Sequence, residues 1–380
     1  MPQALLTDER SPLGLVLSGG GARGAFQVGV WKVLHEEGGV RAPAVVSGTS
    51  AGALNGALIA AGLAPRDMLE FWLGLADAPP VRANPVFFRS LERAVGRLLL
   101  NEPLRPFWRR GREARILAKV LRQHRWFASG TGPSMLLEYL LTARFDLVSD
   151  ALDRITTSYL FDTSPVREHL RRAIGRDTLR GTKVRLAINT VDVRTGGVVR
   201  IVNAPPAKRS AEAAAHYRVV DEITLDMVLA SASIPLLFNP VQVGGELLWD
   251  GGLLVNTPIA PAVALGARRV LPVLVTSGGL GTAPGLPTFG AAVERLADSF
   301  LENAYNTDKK LLLSRNHVAR AGRDPELAVV ELLEPVRPRT SRTFNAGSYL
   351  YFERRAMTAM HDAGVEAARH WLRAGPRMES

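Results

Sequence analysis

The apolar positions of this chain fall into short unbroken runs separated by stretches of helical period. Leu13 to Leu17 is one such run, ending at Ser18-Gly19-Gly20-Gly21, and Phe26, Val30, Val33 and Leu34 follow at helical spacing. The pattern predicts strand, glycine turn, helix. It recurs at once, with a strand at Ala44 to Val46, a turn at Ser47-Gly48-Thr49-Ser50 and a small-residue helix from Ala51 to Ala61 that Gly62 and Pro65 stop. Further on, Val184 to Ile188 and Val198 to Val202 read as strands around Thr195-Gly196-Gly197, and Leu225 to Ala232 as a helix. Pro240 to Val243 and Glu246 to Trp249 read as a hairpin about Gly244-Gly245, and Val270 to Val275 as a last buried strand.

Two stretches break the alternation. Pro65 to Arg180 is helical in pattern and rich in arginine and proline, and reads as an insertion without strands. Ser277 to Thr288 reads as a linker, followed by helices at Ala291 to Leu313 and Ser348 to Leu372 and a strand at Leu327 to Leu333. No internal repeat is visible. Alternating strands and helices predict an α/β three-layer sandwich with a mostly parallel central sheet. Its domain runs from 13 to 276 with a helical insertion over 65–180, and a mainly helical extension covers 277–380.

Composition narrows the class. Of 380 residues 47% are hydrophobic and 22% charged, enough for a large core and incompatible with general disorder. The chain has no cysteine, which excludes disulfides, Cys-ligated zinc, iron–sulfur clusters and a thiol nucleophile. No histidine pair has H-E-x-x-H spacing, so a zinc hydrolase is unsupported. The net charge of +11 draws the chain toward anionic surfaces, phospholipid and nucleic acid alike. Asp8 and Glu9 precede any apolar run of signal length, and no uncharged run reaches a membrane span, so a cytoplasmic or peripheral protein is expected.

Three clusters carry candidate chemistry. Gly48-Thr49-Ser50-Ala51-Gly52 lies where a strand turns into a helix, as a nucleophile elbow requires; Ser50 is either the nucleophile or the cap of the helix. Gly19-Gly20-Gly21-Ala22-Arg23-Gly24 has dinucleotide-binding spacing, but no acid ends the next strand to hold a ribose. The same backbone would serve as an oxyanion hole, with Arg23 supporting the loop, contacting a phosphate or forming a salt bridge. Asp250-Gly251-Gly252 ends a strand, so Asp250 is a candidate base or an ordinary turn residue. His317, His361 and His370 follow Asp250 in the order of a Ser-Asp-His triad, each in a helical pattern.

Together these clusters resemble the patatin-like phospholipase family, in which G-G-G-x-R-G, G-x-S-x-G and D-G-G or D-G-A come in this order. Ala230-Ser231-Ala232-Ser233-Ile234-Pro235 matches a fourth family feature, A-S-x-x-x-P. The resemblance implies a Ser–Asp dyad of Ser50 and Asp250, with the oxyanion held by the Gly19 to Gly24 loop and no histidine, metal or other cofactor required. The implied activity is hydrolysis of a phospholipid or another lipid ester, and no nucleic acid is expected. The alternatives are a non-catalytic lipid- or protein-binding module on the same fold, a triad esterase and, last, a nucleotide-binding enzyme. Within the insertion, Arg112, Arg115, Lys119 and Arg122 share one helix face near Phe107, Trp108, Trp126 and Phe127. They read as a solvated basic face or as a docking face for anionic bilayers.

Overall fold

The computed structural model describes residues 6–8, 10–78, 80–101, 145–207, 215–278, 288–322, 327–339, 344 and 346–379. The four cations at 112–122 and the aromatic residues near them lie outside the described residues. By internal contacts the chain divides into two compact units, Met1–Arg82 with Thr163–Ser380, and Ala83–Asp162.

The larger unit is built on a nine-stranded sheet. Its strands are β1 (Leu13–Leu17), β2 (Val45–Thr49), β3 (Arg185–Asp192), β4 (Val198–Val202), β5 (Tyr217–Val219), β6 (Val241–Val243), β7 (Glu246–Asp250), β8 (Arg269–Val273) and β9 (Glu331–Leu332). The order is β6-β7-β3-β2-β1-β8-β9, with β4 between β3 and β5. The central strands β3, β2, β1, β8 and β9 run parallel. β1, β2 and β8 are buried along their whole length, as a sheet covered on both faces demands.

Two hydrophobic clusters make the covering layers. On one face lie α1 (Gly24–Glu36), α2 (Ala51–Ala60) and α3 (Pro65–Asp77), joined by residues of α10 (Arg354–Ala374). On the other, α8 (Ile259–Ala264) packs with Tyr305 and Leu312 of α9 (Phe289–Arg320). The expected three-layer α/β sandwich is therefore present. α1 crosses α10 at glycines: a Cβ on Gly29 would collide with the His361 carbonyl, and one on Gly364 with that of Phe26.

Several boundaries differ from the expectation. β2 runs on to Thr49 rather than stopping at Val46, and β3 extends to Asp192, where Asn189 Nδ2 and Thr190 Oγ1 donate to main-chain carbonyls inside the sheet. The stretch read as strand-free contains short strands at Tyr159–Asp162 and Thr178–Arg180, too short to show a period. α3 also lies in that stretch, yet it belongs to the larger unit and buries Met68, Phe71 and Trp72 in its core.

The smaller unit contains α4 (Pro85–Asn101) and α5 (Phe145–Asp153). Asn84 starts α4: its Oδ1 accepts the N–H of Val86 at 3.0 Å, and Pro85 occupies the first helical position, where no N–H is needed. After Asp162 the chain returns to the larger unit through α6 (Ser164–Ile174), and α7 (Leu225–Ala230) precedes the β6–β7 hairpin.

Candidate active site

Ser50 sits between β2 and α2 with φ 55° and ψ −123°. Among the described residues, Leu236 is the only other non-glycine with a positive φ. Holding a side chain there costs about 1–3 kcal/mol, so the surroundings must enforce it. They do so by close backbone approach: a Cβ on Gly48 would collide with the Gly52 carbonyl, and one on Gly52 with the Leu17 carbonyl of β1. The Ser50 side chain does not cap α2; it faces the Asp250 carboxyl, whose charged form it favours. Its backbone N–H donates to Ser231 Oγ at 3.0 Å, and the Ser231 hydroxyl donates to the Asn189 carbonyl at 2.6 Å. Asn189 Nδ2 in turn donates to the Gly48 carbonyl at 2.8 Å, so β3 grips both sides of the turn.

Sheet register explains why Asp250 meets Ser50 across 200 residues of chain. Ser47, Gly48 and Thr49 of β2 pair with Ala187, Ile188 and Asn189, while β4 occupies the opposite edge of β3. β3 continues past the end of β2, and there Asp250 and Trp249 of β7 pair with Thr190 and Val191, again opposite β4. β2 and β7 therefore meet end to end on one edge of β3. Thr49 Oγ1 secures the junction by donating to the Val255 carbonyl at 2.7 Å. The Asp250 carboxyl also accepts the Gly252 N–H at 2.7 Å. Burial outweighs the hydrogen bonds from Ser50 and Gly252 and pushes its pKa up from 3.8 to about 7.

The first glycine turn lies beside the elbow: a Cβ on Gly19 would come within 3.1 Å of Ser50 Cβ. Three of its six amides are engaged. Gly19 N–H donates to the Asn256 carbonyl at 3.2 Å, Arg23 N–H to that of Gly20 at 3.1 Å, and Gly24 N–H to those of Ala22 and Gly21. Those of Gly20, Gly21 and Ala22 have no acceptor among the described residues, so the expected six-residue donor loop narrows to three positions. Gly21 has φ 55°, and the Tyr349 carbonyl occupies the space a Cβ would need.

Arg23 is fully buried, which removes the reading in which it contacts a substrate phosphate. Its Nε donates to Ser348 Oγ at 2.8 Å, its Nη1 to the Val275 carbonyl at 3.2 Å and to Asp298 Oδ1 at 3.1 Å, and its guanidinium lies 3.6 Å from the centre of the Tyr349 ring. The Tyr349 hydroxyl is bonded to the same Asp298 oxygen. Behind both turns runs a polar chain: Gln27 Nε2 donates to the Ser18 carbonyl at 2.7 Å, Asn55 Nδ2 to Gln27 Oε1 at 2.9 Å, and Trp72 Nε1 to Asn55 Oδ1 at 2.8 Å. This chain locks α1, α2 and α3 to the end of β1.

Ser50 opens into a narrow cleft of about 50 Å3 whose walls include Leu54, Trp72, Leu75, Val166, Phe238 and Phe352. Among the described residues no histidine lines it. His361 sits on α10 with its ring nitrogen 3.0 Å from Asp362 Oδ1, and His317 lies in α9, so neither joins Ser50 and Asp250. Ser231, Asn189 and Asn256 were not singled out for roles in the sequence, though Ser231 stood in a matched motif. The only trace of Asn189 is a polar pair, Asn189-Thr190, inside an apolar strand. Among the described residues no cluster of three metal-ligating side chains occurs, and no helix is long and apolar enough to cross a membrane.

No curated protein sequence matches the chain. Among solved structures, VipD from Legionella pneumophila is similar over 97% of this chain and 68% of its own, at 17% identity and a TM-score of 0.36. The human GIVD cytosolic phospholipase A2, solved in complex with methyl gamma-linolenyl fluorophosphonate, is similar over 95% of this chain and 59% of its own, at 10% identity and a TM-score of 0.35. The family model described as patatin-like phospholipase matches residues 15–263, a span that includes both glycine turns, β3 and Asp250. The chain belongs to the patatin-like phospholipase family, a family of lipid acyl hydrolases.

Proposed function

We propose that this chain is a carboxylic ester hydrolase that cleaves the acyl ester of a phospholipid or another lipid through a Ser50–Asp250 dyad. One observation carries the reading: Ser50, on a strained turn, faces the buried Asp250 carboxyl, whose pKa burial pushes up to about 7. An ionised Asp250 takes the hydroxyl proton as Ser50 Oγ attacks the ester carbonyl. The carbonyl oxygen, now anionic, is received by the amides of Gly20, Gly21 and Ala22 beside Ser50. The alcohol leaves with the proton from Asp250, and the acyl group stays on Ser50. Water then attacks the acyl carbonyl, gives its proton to Asp250, and frees the fatty acid as Ser50 recovers its proton.

A carboxylate at its usual pKa is a poor base for a serine. Raising it to about 7 matches the base to neutral pH, where proton acceptance is strongest without losing the ionised form. The narrow apolar cleft suits an acyl chain rather than a polar head group. Leu236, Leu350 and Tyr351, all more than 45% exposed, stand in or next to the wall segments Ile234–Phe238 and Leu350–Phe352, and suit the cleft mouth to a lipid surface.

The test is hydrolysis of a short-chain p-nitrophenyl ester and of phospholipid vesicles by wild type, Ser50→Ala and Asp250→Asn, with folding checked by thermal melt. Both variants should fold and lose roughly 10⁴-fold or more in kcat. An inactive wild type, or an active Ser50→Ala variant, would favour the non-catalytic binding module.

A further inference from the structure

The smaller unit holds a cavity that the hydrolase reading leaves unused. Arg89, Arg93 and Arg97 recur at every fourth position along one face of α4, and Arg154 and Thr156, just after α5, share the same cavity of about 350 Å3. That volume is within the roughly 300–1,000 Å3 of small-molecule sites. Like charges four residues apart on a helix repel, and nothing nearby relieves them. Glu92 of the same helix and Asp153 beside Arg154 form no ion pair with Arg89, Arg93 or Arg97 among the described residues.

We propose that this cavity binds a phosphate group. One guanidinium satisfies a carboxylate in a bidentate pair; the three along one face of α4 match a tetrahedral group that carries close to two charges and at least three strong acceptor oxygens. The Thr156 hydroxyl supplies a neutral partner at the same wall. The phosphate is that of a lipid head group or of a free soluble ester. Phe88 and Val95 are exposed on the same helix, so a phosphate carried by a lipid would find apolar surface close by. The site is independent of the Ser50 chemistry and stands or falls without it.

The test uses the full chain at low salt. Inorganic phosphate and sn-glycerol 3-phosphate are titrated by calorimetry, and flotation is measured with phosphatidylcholine vesicles with and without phosphatidic acid. Wild type is compared with Arg89→Gln/Arg93→Gln, with Arg154→Gln from the other wall, and with Arg66→Gln/Arg180→Gln, a charge-matched control on exposed arginines of the larger unit. One phosphate should bind per chain, and both cavity variants should weaken it by roughly tenfold or more while the control stays within about twofold. Parallel loss of flotation with phosphatidic acid identifies a lipid head group, and loss of soluble phosphate alone identifies a free ester; either supports the site. Absence of phosphate binding by wild type, or equal binding by the cavity variants and the control, overturns it.

Discussion

The two glycine turns, Gly19–Gly24 and Gly48–Gly52, have the same local design, a buried parallel strand entering a helix through small residues, but they are held in different ways. The elbow is held from within and by its neighbours in the sheet: Gly48 against Gly52, Gly52 against β1, and the Asn189–Ser231 clasp on β3. The first turn is held from the far end of the chain, where Tyr349 fills the space beside Gly21 and Asp298, Ser348 and Val275 hold Arg23. The difference teaches that the elbow depends on its own glycines and on clasps from Asn189 and Ser231, whereas the first turn depends on segments more than 250 residues away. The stretch after residue 276 thus helps to hold the first glycine turn.

The comparison can be broken at either turn. Gly52→Ala forces a methyl group into the Leu17 carbonyl and should remove activity by roughly 10³-fold or more while lowering Tm, because the elbow cannot keep its φ without that contact. Arg23→Met strips a buried cation from Asp298 and Tyr349. It should cost about 3 kcal/mol in chemical denaturation, less than a fully buried pair because Asp298 keeps some exposure, and should lower kcat with Ser50 untouched.

Protonation sharpens the comparison. Activity should fall about tenfold per unit as pH drops below about 7, the point at which Asp250 gains its proton. Stability runs the other way. Between about pH 4 and 7 the folded state keeps a proton that the unfolded state has lost, so the buried carboxyl destabilises the fold as pH rises through that window. Asp250→Asn should therefore melt higher than wild type at pH 8, with the gap closing toward pH 4. The smallest effect belongs to Ser231→Ala, which removes one clasp of the elbow. It should lower kcat several-fold with KM unchanged and cost about 1 kcal/mol of stability.

Much of this was legible because strand ends and glycines act locally. Leu13 to Leu17 and Val198 to Val202 are found at the expected residues, as is the hairpin turn at Gly244-Gly245, where both glycines take positive φ. The end-to-end meeting of β2 and β7 on β3 was not legible, because register between strands that lie far apart in sequence leaves no periodic trace. Nor was the place of α3, whose apolar face gives no sign of which unit it covers. With Asp250 near 7, an aspartate base and a histidine base would give overlapping pH profiles.

The most direct measurement is covalent trapping. The protein is incubated at pH 8 with a long-chain alkyl fluorophosphonate, digested, and the modified residue located by mass spectrometry. The dyad predicts one adduct per chain on Ser50, none in Ser50→Ala, and much slower labelling in Asp250→Asn. No adduct, an adduct on another serine, or labelling of Asp250→Asn at the wild-type rate would contradict it.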